Sequence, residues 1–327
     1  IFLFKELNLL LWQGYKPSWQ RGAGWCNLFD FQQNQDTAIE KHNVIAVISQ
    51  PDKPKGRGKK LVNTPVKQFA VDNGIEKIYQ PEKIKDEEFV KELEKLNADL
   101  FVVVAYGQIL SEQVLNIPKY GCINVHGSLL PKYRGAAPIQ WSIINGEEKT
   151  GVTIMYMEKG MDTGDMILKE EIIIEPKDTY KTLHDKMSIV GAEALIKALE
   201  LVENGTVNAQ KQNDDEATYA PMITKEMGHI NWNNTSKDII NLIRGINPMP
   251  MAYTIYKDET FKISEAEEVT GYNGNIGEIV DVIKDGFIVK TKDTAIIIKE
   301  MQAKGGKRMK TSDYLRGHSI EKNIILC

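Results

Sequence analysis

Three short apolar runs constrain what this chain can fold into. NVIAVIS (Asn43–Ser49), ADLFVVVAYG (Ala98–Gly107) and CINVH (Cys122–His126) are rich in β-branched residues and show no polar face. Runs of that length and uniformity form strands covered on both sides, which is the habit of parallel sheets. Between the first two, DEEFVKELEKLN spaces Phe89, Leu93 and Leu96 as a helix facing a core would. TGVTIMYMEKG (Thr150–Gly160) alternates like a further strand. A long helix is predicted from about Thr179 to Val202, with Leu183, Met187, Val190, Leu195, Leu199 and Val202 on one face and Asn204-Gly205 as its stop. Strands alternating with helices predict an α/β fold: a Rossmann-like, open, mostly parallel sheet with helices.

The pattern then changes. TVNAQKQNDDEATYAPMITKE is polar and aperiodic and reads as a linker. TSKDIINLIRGINPMP carries a Thr or Ser cap, apolar Ile239, Ile240 and Ile243, then Gly245 and Pro248, the signals of one short helix. Five short strand-like segments follow, AYTIYK, FKISEAEEV, GNIGEIVDVI, GFIVKT and AIIIKEMQ, and predict a smaller OB-like β-barrel. The expected boundaries are an α/β domain over 1–207, a linker over 208–226 and a β-barrel domain over 227–327.

Composition narrows the class. With 42% hydrophobic and 26% charged residues, 327 residues suffice for two cored domains. A net charge of −4 excludes a uniformly basic nucleic-acid binder, so any such contact must come from local clusters. Cys26, Cys122 and Cys327 lack CxxC spacing, which argues against a disulfide framework or structural zinc and suits a reducing compartment. No apolar run approaches the ~18 residues of a membrane span. IFLFKELNLLLW is interrupted by Lys5 and Glu6 and lacks a clean cleavage site, so no signal peptide is expected. The chain starts at Ile1, and a fragment is the expectation.

In open α/β sheets, ligands bind beyond the carboxyl ends of the strands. Asn124 and His126 stand at such an end, because Gly127 breaks the run directly afterwards. Two residues apart on a strand, they share a face. An amide donor beside an imidazole suits acyl transfer: the amide steadies a developing oxyanion, and the imidazole moves a proton or shares that load. Taken alone, the spacing is also met by a turn-capping Asn and a core His. EKGMDTGDM then sets Asp162 in a Gly-flanked loop after the next strand, where a carboxylate can orient the imidazole or order a water. Asp165 is the second choice, and an Asp-rich turn is the plainer account of both.

The stretch GCINVHGSLLPKYRGAAPIQWSIINGEEKTGVTIMYMEKGMDTGDM resembles the core of the enzymes that transfer formyl groups from 10-formyltetrahydrofolate, and among them the branch acting on methionyl initiator tRNA. The resemblance runs from about Ala38 onward. It implies that 1–207 is a catalytic domain with Asn124, His126 and Asp162 as the catalytic trio. It implies that Leu129, Leu130, Pro131 and Lys132 bind tetrahydrofolate, with Gln108, Ile109 and Leu110 in the pocket wall. The implied reaction moves the formyl group of 10-formyltetrahydrofolate to the α-amino group of methionyl initiator tRNA for translation initiation. No metal and no membrane are expected, and the expected protein is a cytoplasmic monomer.

QPDKPKGRGKK (Gln50–Lys60) sets Lys53, Lys55, Arg57, Lys59 and Lys60 against the single acid Asp52. Its prolines and glycines predict an irregular exposed loop, which by composition alone is a solvated charge run. The resemblance assigns Arg57, Lys59 and Lys60 to the acceptor end of the tRNA. KGGKRMK supplies Lys304, Lys307 and Arg308, which with Arg244 are expected to meet the tRNA body and make 227–327 a tRNA-binding domain, a solvated hairpin being the equally ready account of the cluster. His42, His184, His229 and His318 have no partner in spacing and read as structural or surface residues. Met155, Met157, Met161 and Met166 read as core and loop packing.

Other readings compete. One is formyl transfer to a sugar nucleotide or another amine, or formyl-folate hydrolysis. The other is tRNA or folate binding without turnover. The basic loop and the β-rich domain favour tRNA. A nicotinamide dehydrogenase is disfavoured, since no GxGxxG follows a predicted strand. The family opens with a strand and a Gly-Thr-Pro loop, and residues 1–37 show neither. A shifted frame or non-native start is expected there, with loss of a central strand. Met249 and Met251 in NPMPMAYT stand where the family usually has Trp and Gly.

Overall fold

The computed structural model describes residues 8–13, 42–55 and 60–327. These fall into two compact units: Ile1–Gly135, Thr150–Ile173 and His184–Ala220 form one, and Ala136–Lys149, Ile174–Leu183 and Pro221–Cys327 the other. Along the chain come β1 (Asn8–Gln13), β2 (Asn43–Ser49), β3 (Lys53–Lys55), β4 (Lys60–Val62), α1 (Pro65–Asp72), β5 (Ile78–Tyr79), α2 (Glu87–Lys95), β6 (Leu100–Val104), α3 (Glu112–Leu115) and β7 (Cys122–His126). Then follow β8 (Arg134–Gly135), α4 (Pro138–Ile144), β9 (Lys149–Tyr156), β10 (Met166–Ile173), α5 (Tyr180–Glu203) and β11 (Tyr219–Ala220).

The first unit is built on a seven-stranded sheet in the order β10-β9-β7-β6-β1-β2-β5. β1 is parallel to β2 and β6, β2 to β5 and β6 to β7, while β7 and β9 run antiparallel, so the sheet is mixed. All five residues of β6 are buried, as its unbroken LFVVV demands. Thr64 caps α1 by accepting the Lys67 N–H, with Pro65 at the first helical position. Asp86 caps α2 by accepting the Glu88 and Phe89 N–H groups, and Val90 and Leu93 face the core. On α5, Leu183, Met187, Leu195, Leu199 and Val202 are buried, and Gly191 lies where a Cβ would stand 3.4 Å from Val125 Cγ1 of β7. Val190 is only half-buried; the bare backbone of Gly191 makes the close approach instead.

Two expectations are corrected here. The missing central strand is present: NLLLWQ forms β1, interior to the sheet and paired on both sides. Residues 14–41, and the loop reading attached to them, lie outside the described residues. The basic run is not irregular throughout, although residues 56–59 lie outside the described residues. β3 and β4 pair antiparallel as a hairpin, Lys53 opposite Val62 and Lys55 opposite Lys60, with Pro54 tolerated because the ribbon is all edge.

Chain order makes β1 and β6 the switch point of the sheet, since β2 and β5 lie to one side and β7 to the other. The crevice beyond their carboxyl ends is where such sheets hold ligands.

The second unit contains α4, α6 (Ser236–Gly245), β12 (Ala252–Tyr256), β13 (Glu259–Val269), β14 (Ile279–Ile283), β15 (Gly286–Lys290), β16 (Ala295–Gln302), β17 (Met309–Lys310) and α7 (Thr311–Tyr314). Thr235 caps α6 through the Asp238 N–H. The strands form an open path, β12-β13-β16-β15-β14, with β17 on β16, and no closed barrel is found among the described residues. The final segment hydrogen-bonds to both edges: Ile279 and Leu326 N–H donate to Ile324 and Gly277 carbonyls beside β14, and Ile255 N–H of β12 donates to the Cys327 carbonyl. Met251 adopts φ +70°, a left-handed conformation that suits Gly and strains Met.

Gly151 on β9 leaves no room for a side chain, because a Cβ would run into the Glu170 carbonyl of β10 and stand 2.5 Å from Leu129 Cδ2. Gly151→Ala is expected to cost about 1–3 kcal/mol of stability, read as a lower denaturant midpoint.

Candidate active site

The carboxyl end of β7 brings the predicted residues together. Asn124 lies opposite Val103 of β6 and Met155 of β9, half-buried, while His126 is buried opposite Thr153. The His126 Nε2–H donates to the Tyr133 carbonyl at 2.9 Å, and since a carbonyl only accepts, this bond fixes the tautomer. Nδ1 is left facing the Asp162 carboxylate, with Oδ2 at 3.6 Å. The same Oδ2 accepts the Gly135 N–H at 2.8 Å. Asp162 sits at φ +53°, and a Cβ on neighbouring Gly164 would strike the Tyr156 carbonyl, so the loop follows one path. The contact to His126 belongs to Asp162; Asp165 gives its backbone carbonyl to the Tyr156 N–H.

Several residues escaped the sequence reading. Arg134, only 3% exposed, donates Nε to Gln212 Oε1 at 3.0 Å and Nη2 to Asp214 at 2.7 Å. Gln212 Nε2 in turn donates to the Asp162 and Gly164 carbonyls, both at 2.8 Å. Thr218 accepts the Tyr133 N–H on its hydroxyl and the Arg134 N–H on its carbonyl, and β11 runs parallel to β8. Residues 210–220 thus bind the loops carrying His126's and Asp162's partners. An Arg in an apolar motif was the available signal; Gln212 and Thr218 offered none.

The Leu129–Lys132 segment is a turn braced from below. Leu130 packs with Met155 and Met166, its N–H donates to Thr153 Oγ1 at 3.1 Å, and Lys169 Nζ donates to its carbonyl at 2.6 Å. Pro131 is buried and Lys132 exposed. After β6, Gln108 accepts the Ile84 N–H and donates to the Glu82 carbonyl, Leu110 is buried, and Ile109 stands 86% exposed beside the switch point. No group of three His, Cys, Asp or Glu that could hold a metal ion occurs among the described residues.

Of the basic residues, Arg57 and Lys59 lie outside the described residues and Lys60 begins β4. Asp52 is held by Lys67 Nζ at 2.5 Å, Gln80 Nε2 at 2.9 Å and the Thr64 N–H at 3.1 Å. Desolvation pushes its carboxyl up, but these bonds together outweigh it and hold it below the ordinary carboxylate range. Arg244 donates to the Glu175 and Asp178 carbonyls and to Asn241 Oδ1, and burial pulls its guanidinium below the usual value. Lys304 and Lys307 are exposed, while Arg308 engages Glu300 and Asn247. His229 stacks on Tyr253 and His318 on Tyr314.

Cys122 opens β7, and burial pushes its thiol up to about 12. Thiolate is the reactive form. Alkylating reagent at mildly alkaline pH is expected to leave Cys122 unmodified in the folded chain and to modify it in denaturant, as peptide mass mapping would show.

A family profile described as "Formyl transferase" matches residues 27–199, and one described as "Formyl transferase, C-terminal domain" matches 222–319. A protein named methionyl-tRNA formyltransferase from Clostridioides difficile is 50% identical over 288 residues, covering 88% of this chain and 93% of that one. Its namesake from Caldanaerobacter subterraneus matches with the same figures. Among solved structures, HypX from Aquifex aeolicus in complex with tetrahydrofolic acid superposes with a TM-score of 0.63 at 15% identity over 98% of this chain and 51% of that one. WlaRD, a sugar 3N-formyl transferase, gives 0.63 at 22% identity over 93% and 100%. These two speak for the fold alone. Both domain matches and the extent of the identity make one conclusion: the chain belongs to the methionyl-tRNA formyltransferase family of formyl transferases.

Proposed function

We propose that this chain transfers the formyl group of 10-formyltetrahydrofolate to the α-amino group of methionyl initiator tRNA, preparing it for translation initiation. The observation that carries the reading is the grouping of Asn124, His126 and Asp162 at the carboxyl end of β7, beside the switch point. The names of the half-identical relatives point to the same acceptor. The turn at Leu129–Lys132 and the exposed Ile109 fit an aromatic folate ring system, and 10-formyltetrahydrofolate supplies an activated formyl group there.

The chain's own groups divide the work. The Asn124 amide donates to the formyl oxygen as charge grows on it. His126, with Nε2–H tied to Tyr133, offers the Nδ1 lone pair to the proton leaving the attacking amine. The Asp162 carboxylate stabilises the imidazolium that results and remains oriented by the Gly135 N–H. The new C–N bond forms as the old one to the folate nitrogen breaks, and that nitrogen takes up a proton.

We assign 1–207 to catalysis, 208–226 to the connection and 227–327 to the tRNA body through Lys304, Lys307, Arg308 and Arg244. An OB-like barrel for that last region is supported by the final segment's bonds to both sheet edges. Arg57, Lys59 and Lys60 are assigned to the acceptor end. The chain is read as a monomer, and as cytoplasmic because three unspaced cysteines suit a reducing compartment.

Transfer of labelled formyl to methionyl initiator tRNA tests the reading, with uncharged tRNA as the control. Asn124→Ala and His126→Ala are each expected to lower kcat by ~10²–10³ with the fold intact. Near-normal turnover by either variant would overturn the assignment. The tRNA Kd should also rise steeply with salt; a flat dependence counts against the basic clusters.

A further inference from the structure

Asp52 is the single acid in a run of five cations. Charge alone makes it a liability in a hairpin that meets phosphates, because it subtracts from the attraction. Its surroundings give it another role. Asp52 stands just before the first strand of the hairpin and Thr64 just after the second, and the Thr64 N–H donates to Asp52 Oδ1. Oδ1 also accepts from Gln80 Nε2, and Oδ2 accepts from Lys67 Nζ.

The partners are themselves tied to the frame. Gln80 Nε2 donates to the Gln50 carbonyl at 2.9 Å, and its Oε1 accepts from Lys67 Nζ at 2.8 Å. Ser49, the last residue of β2, meets Thr64 Oγ1 at 2.8 Å, and Thr64 caps α1. Every anchor therefore comes from the end of β2, the start of α1 or the residue after β5, and none from the hairpin. Asp52 and Lys67 are 18% and 26% exposed, so water competes weakly for the pair.

We infer that Asp52 is a positioning residue for tRNA binding: its carboxylate clips the two ends of the basic hairpin to the sheet frame and sets the direction in which the hairpin projects. The inference rests on the hairpin reading made above. Without the clip, the hairpin must be ordered as the tRNA binds, and affinity drops accordingly. The sign is opposite to that expected from charge. Removing the acid leaves Lys67 with only Gln80 Oε1 and no counter-charge, and the region more positive, yet binding weakens.

The test measures tRNA binding and formylation by the full chain over a salt series. Asp52→Ala is expected to raise the tRNA Kd by about tenfold and to make the plot of log Kd against log salt shallower by about one phosphate contact. The KM for the formyl donor should move less than about twofold. Asp52→Asn, which keeps an acceptor for the Thr64 N–H, should recover part of the loss. Arg57→Ala tests the underlying reading. If Arg57→Ala weakens binding while Asp52→Ala binds as tightly as the parent or tighter, the clip is overturned and the hairpin contact stands. If Arg57→Ala binds like the parent, the hairpin reading fails and the clip falls with it. Should Asp52→Ala not melt cooperatively, Asp52→Asn and Lys67→Gln decide: weaker binding supports the clip, unchanged binding overturns it.

Discussion

One tripeptide, Tyr133 to Gly135, holds both the imidazole of His126 and the carboxylate of Asp162. Its first carbonyl accepts the hydrogen bond from the imidazole Nε2–H and its last N–H donates to the carboxylate. Only the φ and ψ of Arg134 separate those two points, so few backbone degrees of freedom set the spacing of ring and carboxylate. The surrounding loops serve that turn. Ala220 closes over Gly135, whose φ of +117° and 2.9 Å clearance to the Ala220 carbonyl leave no space for a Cβ.

The middle residue of the tripeptide carries the main energetic burden. A buried guanidinium is tolerated only when its donors are satisfied. Arg134 meets that demand with Gln212 and Asp214, and Asp214 is 83% exposed, so one end of the pair stays hydrated and the desolvation cost is moderated. The arrangement couples folding of the 210–220 segment to the shape of the site. A polar, aperiodic stretch is thus packed into the first unit by its hydrogen bonds to the loops around the candidate site.

Much of this was legible in residue patterns, and the failures have physical causes. NVIAVIS, LFVVV and CINVH announced themselves as strands because a sheet covered on both faces selects unbroken β-branched runs. The end of CINVH located Asn124 and His126, because a strand's period sets their common face. β1 was missed: NLLLWQ has no alternation, and only its neighbours β2 and β6 define it as a strand. The hairpin was missed because proline and glycine punctuate turns and loops alike, while its anchors lie in Thr64, Lys67 and Gln80. Gln212 and Thr218 act through backbone carbonyls and N–H groups distant in sequence, and no local pattern encodes such partners. The Gly usually found at Met251 is explained by its left-handed backbone.

The segment Asn323–Cys327 has a consequence for biogenesis. Exposed strand edges template association between chains. Here the β12 edge takes a bond from the preceding Ile230 N–H as well as one to Cys327, whereas the β14 edge is met by residues that follow every strand of the sheet. During synthesis the β14 edge stays open until that stretch emerges, so its protection against association is acquired late, with the arrival of a few residues rather than with the sheet itself.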